Sequence, residues 1–360
     1  MTGPILIMAG GTGGHVFPAL AVARALRRND EEVVWLGTRQ GLEADLIPKE
    51  GIPLEWTRVA GLRGKGMLSW FLAPLILLVA VVDALGVLIR RRPKVVLGMG
   101  GFASGPGGFA AWLLRKPLII HEQNSVAGLT NRLLAGFARE VLEAFPGSFS
   151  GRIKTRLVGN PVRSDIVALP DSGQRLASSD GPLRILVLGG SQGAQVLNQM
   201  VPAAVALLPE ERRPEIWHQT GAATSHVATE AYANAGVAAK LDPFIENIAE
   251  AYGWADMVIC RAGALTISEL AVAGLGALLV PYPSAADDHQ TGNAEYLVAA
   301  GAAVLIPQSS LTPESLAEEL RVCVSDRRVV IERASSARSL AKPNATREVM
   351  ERCLALADAK

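Results

Sequence analysis

Short apolar runs of strand length recur along this chain, each breaking into glycine or polar residues and then into a pattern with helical spacing. Ile5-Leu6-Ile7-Met8-Ala9 stops at Gly10-Gly11-Thr12-Gly13-Gly14-His15, and a helical pattern follows from Pro18 through Leu26. The opening therefore reads strand, tight loop, helix N-terminus. Residues 33–36 predict a second strand, 42–49 a helix and 54–59 a third strand. Strands alternating with helices predict a parallel sheet covered by helices, the α/β class.

The opening loop has two readings. Glycines let backbone N–H groups approach a ligand closely, and a helix N-terminus favours negative charge, so the loop suits a phosphate or another anion with His15 at its mouth. Alternatively, the glycines only make a tight turn and His15 is a helix-start residue. No Lys-Ser/Thr follows the glycines, which excludes a P-loop. The strand over 32–36 runs into Gly37-Thr38-Arg39 with no acidic residue for a ribose diol, a poor dinucleotide fingerprint.

The most apolar stretch runs from Met67 to Ile89 and ends in Arg90-Arg91-Arg92. Its length would nearly span a bilayer. Asp83 lies inside it, however, and the segment is a required crossover between strands near Leu54 and Val95, which a membrane span would put on opposite sides. The preferred reading is a helix with one face on the sheet and an apolar end at Leu68, Trp70 and Phe71, flanked by Arg63 and Lys65, that dips into the lipid interface. An ordinary buried helix is the other reading.

A second glycine loop, Gly98 to Gly108, follows the strand Val95-Val96-Leu97, and the strand over 118–120 delivers His121-Glu122-Gln123-Asn124 to the same sheet edge. Ligands of open α/β sheets bind at that edge. His121 and Glu122 either contribute to a site or orient each other. Residues 169–182 read as linker or surface loop, after which Ile185-Leu186-Val187-Leu188-Gly189-Gly190-Ser191-Gln192-Gly193-Ala194 repeats the opening in form. The chain is thus two similar α/β halves. In the second half a strand ending at Cys260 meets Arg261-Ala262-Gly263 and a helix start near Ala264. Free N–H groups there suit a diphosphate, and Glu269 suits a ribose diol; a plain helix start with a solvated Glu269 is the alternative. The polar run 281–294 is too rich in donors and acceptors for a simple turn. From about Pro313 the chain is helical, with its last part expected to pack back on the first half.

Composition narrows the picture. The chain has 360 residues, 49% hydrophobic, enough for about two domains. Three scattered cysteines (Cys260, Cys323, Cys353) without a CxxC argue for a reducing compartment and against a disulfide frame or zinc site. No basic region precedes the N-terminal apolar run, so no signal peptide is expected and the protein reads as cytoplasmic. The net charge of +1 hides an asymmetry: residues 1–163 hold 20 Lys+Arg against 11 Asp+Glu, net +9, and the rest 15 against 23, net −8. A basic first half faces something anionic. Its basic residues are not interleaved with stacking aromatics, so a membrane surface or phosphorylated lipid is expected rather than nucleic acid.

Seven motifs taken in order resemble those of the MurG family of peptidoglycan N-acetylglucosaminyltransferases: Gly10 to His15, Gly101 to Gly108, His121 to Asn124, Asn160 to Arg163, Gly189 to Ala194, Arg261 to Glu269 and Asp288 to Gln290. The resemblance implies a GT-B fold, two Rossmann-like domains whose parallel sheets face each other across a cleft. Residues 1–163, with a C-terminal helix at about 341–360, would form the acceptor- and membrane-binding domain, and 164–340 the domain for UDP-N-acetylglucosamine (UDP-GlcNAc). It implies that the backbone of Ile245 meets the uracil with Phe244 as a cap, and that Glu269 binds the ribose. Ser191, Gln192, Arg163 and the helix start Ala264, Leu265, Thr266, Ile267 and Ser268 would hold the diphosphate, balanced also by Arg261. Asn124 and Gln290 would position the sugar, with Thr12, Gly13 and Gly14 nearby.

The implied acceptor is lipid I, an undecaprenyl-diphosphate-linked N-acetylmuramyl pentapeptide. Its diphosphate would sit on Gly11 to Gly14 and on Ser104, Gly105, Gly107 and Gly108. Attack by its 4-hydroxyl inverts the anomeric carbon and needs a base, for which His15 is the candidate because imidazole titrates near neutral pH. The chain has no Asp-x-Asp metal site, so no cofactor is expected, with room left for a magnesium effect. The implied location is peripheral, at the cytoplasmic face of the bacterial inner membrane. The rivals are a UDP-N-acetylglucosamine 2-epimerase-type enzyme of the same fold, an oxidoreductase whose Arg39 reads the 2′-phosphate of NADP, and a non-enzymatic nucleotide-binding module.

Overall fold

A computed structural model of the chain describes residues 3–58, 67–149, 151, 153–170, 173, 176, 181–190, 193–283 and 288–358, with residues 67–72 described through their helical backbone. Ser191, Gln192 and the side chains of Leu68, Trp70 and Phe71 lie outside the described residues. The chain divides into two compact units, residues 1–163 with 343–360 and residues 164–342.

In the first unit β1 (Ile5–Met8), β2 (Val33–Gly37), β3 (Leu54–Trp56), β4 (Val95–Gly98), β5 (Leu118–Glu122), β6 (Glu140–Glu143) and β7 (Arg156–Leu157) alternate with five helices. These are α1 (Gly13–Arg28), α2 (Glu43–Lys49), α3 (Met67–Arg91), α4 (Ser104–Leu113) and α5 (Leu129–Ala135). Among the described residues the strands form one parallel sheet in the order β3-β2-β1-β4-β5-β6-β7. The central strands are near-continuous apolar runs because helices cover both faces. Alternation along β1 shows it: Ile5 and Ile7 enter a core with Val16, Leu20 and Leu26 of α1, whereas Leu6 and Met8 enter one with Ala84 and Leu88 of α3 and Ala110 of α4.

The second unit repeats this plan. It contains α6 (Ser164–Val167), β8 (Arg184–Leu188), α7 (Gln195–Ala206), β9 (Glu215–Gln219), α8 (Ser225–Ala235), β10 (Lys240–Asp242), α9 (Ile248–Trp254) and β11 (Met257–Cys260). It continues through α10 (Ala264–Ala273), β12 (Gly276–Leu279), α11 (His289–Ala299), β13 (Ala303–Leu305), α12 (Pro313–Ser325) and α13 (Arg327–Ser339). Its parallel sheet has the order β10-β9-β8-β11-β12-β13. The last helix, α14 (Ala345–Asp358), belongs to the first unit, where Val349, Met350, Cys353 and Ala357 join the core beside α1. Arg352 bonds Glu140 there.

In both sheets the strand order reverses beside the first strand of the unit, between β1 and β4 and between β8 and β11. Such switch points open a crevice at the strands' carboxyl ends. In the first unit that crevice depends on glycine. A Cβ at Gly101 (φ +81°) would lie 2.2 Å from the carbonyl oxygen of Gly10, so the loops after β1 and β4 pack backbone on backbone.

The crossover α3 is apolar and long enough to cross a membrane by length and composition. It links β3 and β4, parallel strands of one sheet. Ala80, Ala84, Val87 and Leu88 are buried against that sheet, and Asp83 accepts hydrogen bonds from the backbone and guanidinium of Arg58. The helix is not simply buried, however: Leu75, Leu77, Leu78, Val82 and Ile89 are exposed.

Gly101→Ala should destabilise the protein by roughly 2 kcal/mol or more, since it combines a left-handed φ with a backbone clash. A lower denaturation midpoint at unchanged slope is the expected result, and an unchanged midpoint would show that the loops separate freely.

Candidate functional site

The first unit presents its chemistry at the β1/β4 switch. Thr12 precedes α1 in an extended conformation and makes no side-chain cap, and no acidic residue occupies the first turn. The amides of His15 and Val16 donate to the Thr12 carbonyl. No partner among the described residues takes the N–H groups of Gly13 and Gly14, so this helix start is equipped for an anion. The Arg163 guanidinium lies 5.8 Å from the Phe17 ring centroid on the same helix, adding positive charge.

Some residues expected at this site do other work. The N–H of Gly11 donates to Glu43 Oε2 at 2.9 Å, and Glu43 Oε1 accepts from both the amide and the hydroxyl of Thr38. Gly11 therefore turns its donor toward a buried carboxylate instead of an anionic ligand. Ser104 is wholly buried, its hydroxyl bonding the carbonyls of Met8 and Gly100. Gly107 and Gly108 are buried too, since a Cβ would meet Met8 Sδ at 2.3 Å and Leu134 Cδ1 at 2.7 Å. These three cannot touch a diphosphate. They let α4 sit close on the sheet and on α5, and of that group Gly105 alone is partly exposed.

His121 and Glu122 do not orient each other, because successive side chains of β5 point to opposite faces. Glu122 accepts from the amide and side chain of Asn124, the Gly128 amide and Asn131. His121 is buried and bonded to the Gly159 carbonyl at 2.9 Å, and burial pushes its pKa down to about 4. His15 Nδ1 lies 3.0 Å from Gln123 Oε1.

The second unit builds its counterpart at the β8/β11 switch. The α10 helix starts after Gly263 with no side-chain cap and no acid in its first turn. Ser268 returns its hydroxyl to the Ala264 carbonyl, and Ile267 is buried with its N–H donating to the Gly263 carbonyl, so neither side chain is presented at the start of the helix. Glu269 is not solvated: it is 6% exposed, and its Oε2 accepts from the Tyr252 hydroxyl at 2.9 Å. Arg261 Nη atoms brace the carbonyls of Val280 and Pro281 and the side chain of Gln308, leaving charge as its main offering to a ligand. Gln290 Oε1 accepts from the Tyr282 amide, Phe244 is exposed, and Ile245 is buried.

Glu43, Gln123, Tyr252 and Gln219 were given no role from sequence. Gln219 ties the Gly190 carbonyl to the Ile245 amide, linking the β8 loop to the segment after β10. Glu43 opens α2, and Gln123 and Gln219 stand at the carboxyl ends of β5 and β9, which marks them beforehand, whereas Tyr252 lies inside α9 with nothing in the sequence to point to Glu269.

Both halves match the Glycosyltransferase family 28, its N-terminal domain over residues 5–143 and its C-terminal domain over 184–351. A relative from Marinobacter nauticus, named UDP-N-acetylglucosamine--N-acetylmuramyl-(pentapeptide) pyrophosphoryl-undecaprenol N-acetylglucosamine transferase, is 56% identical over 98% of this chain and 97% of its own. A relative of the same name from Alkalilimnicola ehrlichii is 57% identical over 98% and 99%. The crystal structure of Acinetobacter baumannii MurG superposes with a TM-score of 0.86 at 40% identity, covering 98% of this chain and all of that one. This chain belongs to the MurG family. It is a glycosyltransferase with the two parallel-sheet units of the GT-B fold.

Because His121 is neutral in the fold and titrates near its ordinary 6.5 when unfolded, the unfolded chain binds the extra proton between those values. Its contribution is full above pH 6.5 and declines as pH falls toward 4, at about 1.4 kcal/mol per pH unit. Urea denaturation of the wild type and of His121→Gln across this window should show a shallower acid loss in the variant; equal slopes would contradict a neutral buried His121.

Proposed function

We propose that the protein transfers N-acetylglucosamine from UDP-GlcNAc to the 4-hydroxyl of lipid I, producing lipid II for peptidoglycan, at the cytoplasmic face of the bacterial inner membrane. The observation that carries this reading is the whole-length kinship with transferases named for that reaction, in a chain whose two switch points both place a helix start with no acid in its first turn. The second unit takes the donor. Ile245 meets the uracil through its backbone, Phe244 caps it, and Glu269, held by Tyr252, accepts from the ribose hydroxyls. The α10 start from Ala264 to Ser268 holds the diphosphate with Ser191, Gln192 and Arg163, and Arg261 lends its charge. Asn124, Gln290 and Thr12 to Gly14 position the sugar.

The acceptor belongs to the basic first unit, with its diphosphate toward Gly13, Gly14 and Gly105. The 4-hydroxyl oxygen bonds to the anomeric carbon as the bond to UDP breaks. The configuration inverts, UDP leaves with the bonding pair, and the hydroxyl proton passes to His15. Helix N-termini and arginines stabilise the departing charge. The reading requires no metal, so turnover in excess chelator is expected to persist.

Lipid attachment gives the exposed apolar residues of the first unit a purpose. Alongside α3, Trp112 and Leu113 of α4, Leu129 and Leu133 of α5, and Phe109 with Phe137 are exposed, and the Phe109, Trp112 and Phe137 rings pack on one another. The helices bearing them pack α3 on α4 and α4 on α5. Exposed Arg115, Arg132 and Arg139 lie along these same segments. An apolar face with basic residues suits peripheral docking on an anionic bilayer. Epimerisation of UDP-GlcNAc involves no lipid-linked acceptor and gives this face no task.

Steady-state kinetics with a lipid I analogue test the assignments. His15→Ala should lower kcat by about 10²–10⁴ with both KM values within a few-fold, and near-normal turnover would remove His15 as base. Glu269→Ala should chiefly raise the KM for UDP-GlcNAc; an unchanged donor KM would move the ribose elsewhere. For the membrane face, Trp112→Ser with Leu133→Ser should weaken binding to anionic vesicles while sparing transfer to a water-soluble acceptor analogue. Undiminished vesicle binding would rule that face out.

A further inference from the structure

We propose that Gln123 is a positioning residue that sets the tautomer of His15, placing its proton on Nδ1 and leaving the Nε2 lone pair for the acceptor hydroxyl. The proposal rests on His15 being the base and specifies which nitrogen acts and what makes it act.

The argument runs inward from the Gly159 carbonyl. That oxygen can only accept, so His121 Nε2, 2.9 Å away, carries a hydrogen. His121 is buried and neutral, so its Nδ1 holds a lone pair and must receive a donor. Gln123 Nε2 lies 3.2 Å from that atom and supplies it. The amide orientation follows: turned over, Gln123 would set its oxygen against the Nδ1 lone pair. Gln123 Oε1 therefore faces His15 Nδ1 at 3.0 Å, and because a carbonyl oxygen only accepts, Nδ1 must donate. A neutral imidazole protonated on Nδ1 is bare at Nε2. Among the described residues nothing bonds His15 Nε2.

The surroundings hold this chain of bonds in place. Gln123 is buried, and its carbonyl accepts from Asn160 Nδ2 at 3.0 Å. Gly100 closes the other side of the imidazole: a Cβ there would lie 2.5 Å from His15 Nδ1, so only glycine leaves room for the ring. Three strands of one unit are engaged, β1 through the loop leading to His15, β5 through His121 and Gln123, and β7 through the segment reaching Gly159. An acidic partner for His15 would hold its Nδ1 proton while favouring the charged imidazolium. A neutral amide fixes the same tautomer without favouring the imidazolium.

The test is ¹⁵N NMR of the full-length protein labelled at its five histidines, at a pH where His15 is neutral, together with kinetics. In the wild type His15 should be protonated on Nδ1 and bare on Nε2, with His121 the reverse; protonation of His15 on Nε2 would overturn the proposal outright. Gln123→Leu should lose the Nδ1–H bias and reduce kcat about tenfold or more, with the KM for UDP-GlcNAc moving less than about twofold. Gln123→Glu again accepts from His15 Nδ1 while its other oxygen is met by a proton gained at His121 Nδ1, so it should restore the His15 tautomer and recover part of the turnover. If Gln123→Leu keeps the wild-type tautomer, or loses it at unchanged kcat, Gln123 does not position the base. Should His15→Ala remain active while the wild-type tautomer is as stated, the base assignment fails and the hydrogen-bond chain stands. Should Gln123→Leu not fold, the wild-type spectrum and Gln123→Glu still decide.

Discussion

The first unit depends on two glycine loops that lie against each other with no side chain between them. The close approach of Gly101 to the Gly10 carbonyl, and of Gly100 to the His15 ring, brings the ends of β1 and β4 together at the switch point. From that contact the start of α1 takes its position, carrying Gly13, Gly14 and His15. Glu43 secures the loop from behind, taking the Gly11 amide and both donors of Thr38. The loop that looks like a simple phosphate cradle is thus divided: its first glycines are committed to the protein, and its helix start faces outward.

The second unit reaches a similar result by different means. Gly193 approaches the Thr220 carbonyl closely, and Gln219 joins the β8 loop to the segment carrying Ile245, so the two ends of the proposed nucleotide site are mechanically linked. Glu269, drawn into the unit by Tyr252, is a carboxylate in a fixed place in the second turn of α10, a helix with no acid in its first turn. Preorganised dipoles of this kind stabilise departing negative charge without reorganising during the reaction. The same arrangement at both switch points suits a reaction that joins one diphosphate-bearing substrate to another.

Much of the fold was legible because it rests on local periodicity. Apolar runs ending in glycine announced β1, β4 and β8, the repeat of the opening at Gly189 announced the second sheet, and the apolar run from Met67 announced α3. What escaped notice depended on contacts between distant segments. Ser104, Gly107 and Gly108 read as a ligand loop because a glycine that accommodates a ligand and one that accommodates Met8 or Leu134 look alike in sequence. Glu43 looked like an ordinary residue of a short helix, and Gln123 was overshadowed by Asn124. The apolar surface extends beyond the residues expected for it, because α4 and α5 bring Trp112, Leu129 and Leu133 to the surface only once they pack beside α3.

The central claim is that one chain joins a nucleotide-sugar donor to a lipid-linked acceptor with inversion. Following UDP-GlcNAc labelled in its sugar by NMR, with and without a lipid I analogue, tests it most directly. The expected result is a β-linked disaccharide product and an equal amount of UDP when both substrates are present, with the donor intact when the acceptor is left out. An α-linked product, or conversion of the sugar to its 2-epimer without acceptor, would contradict it.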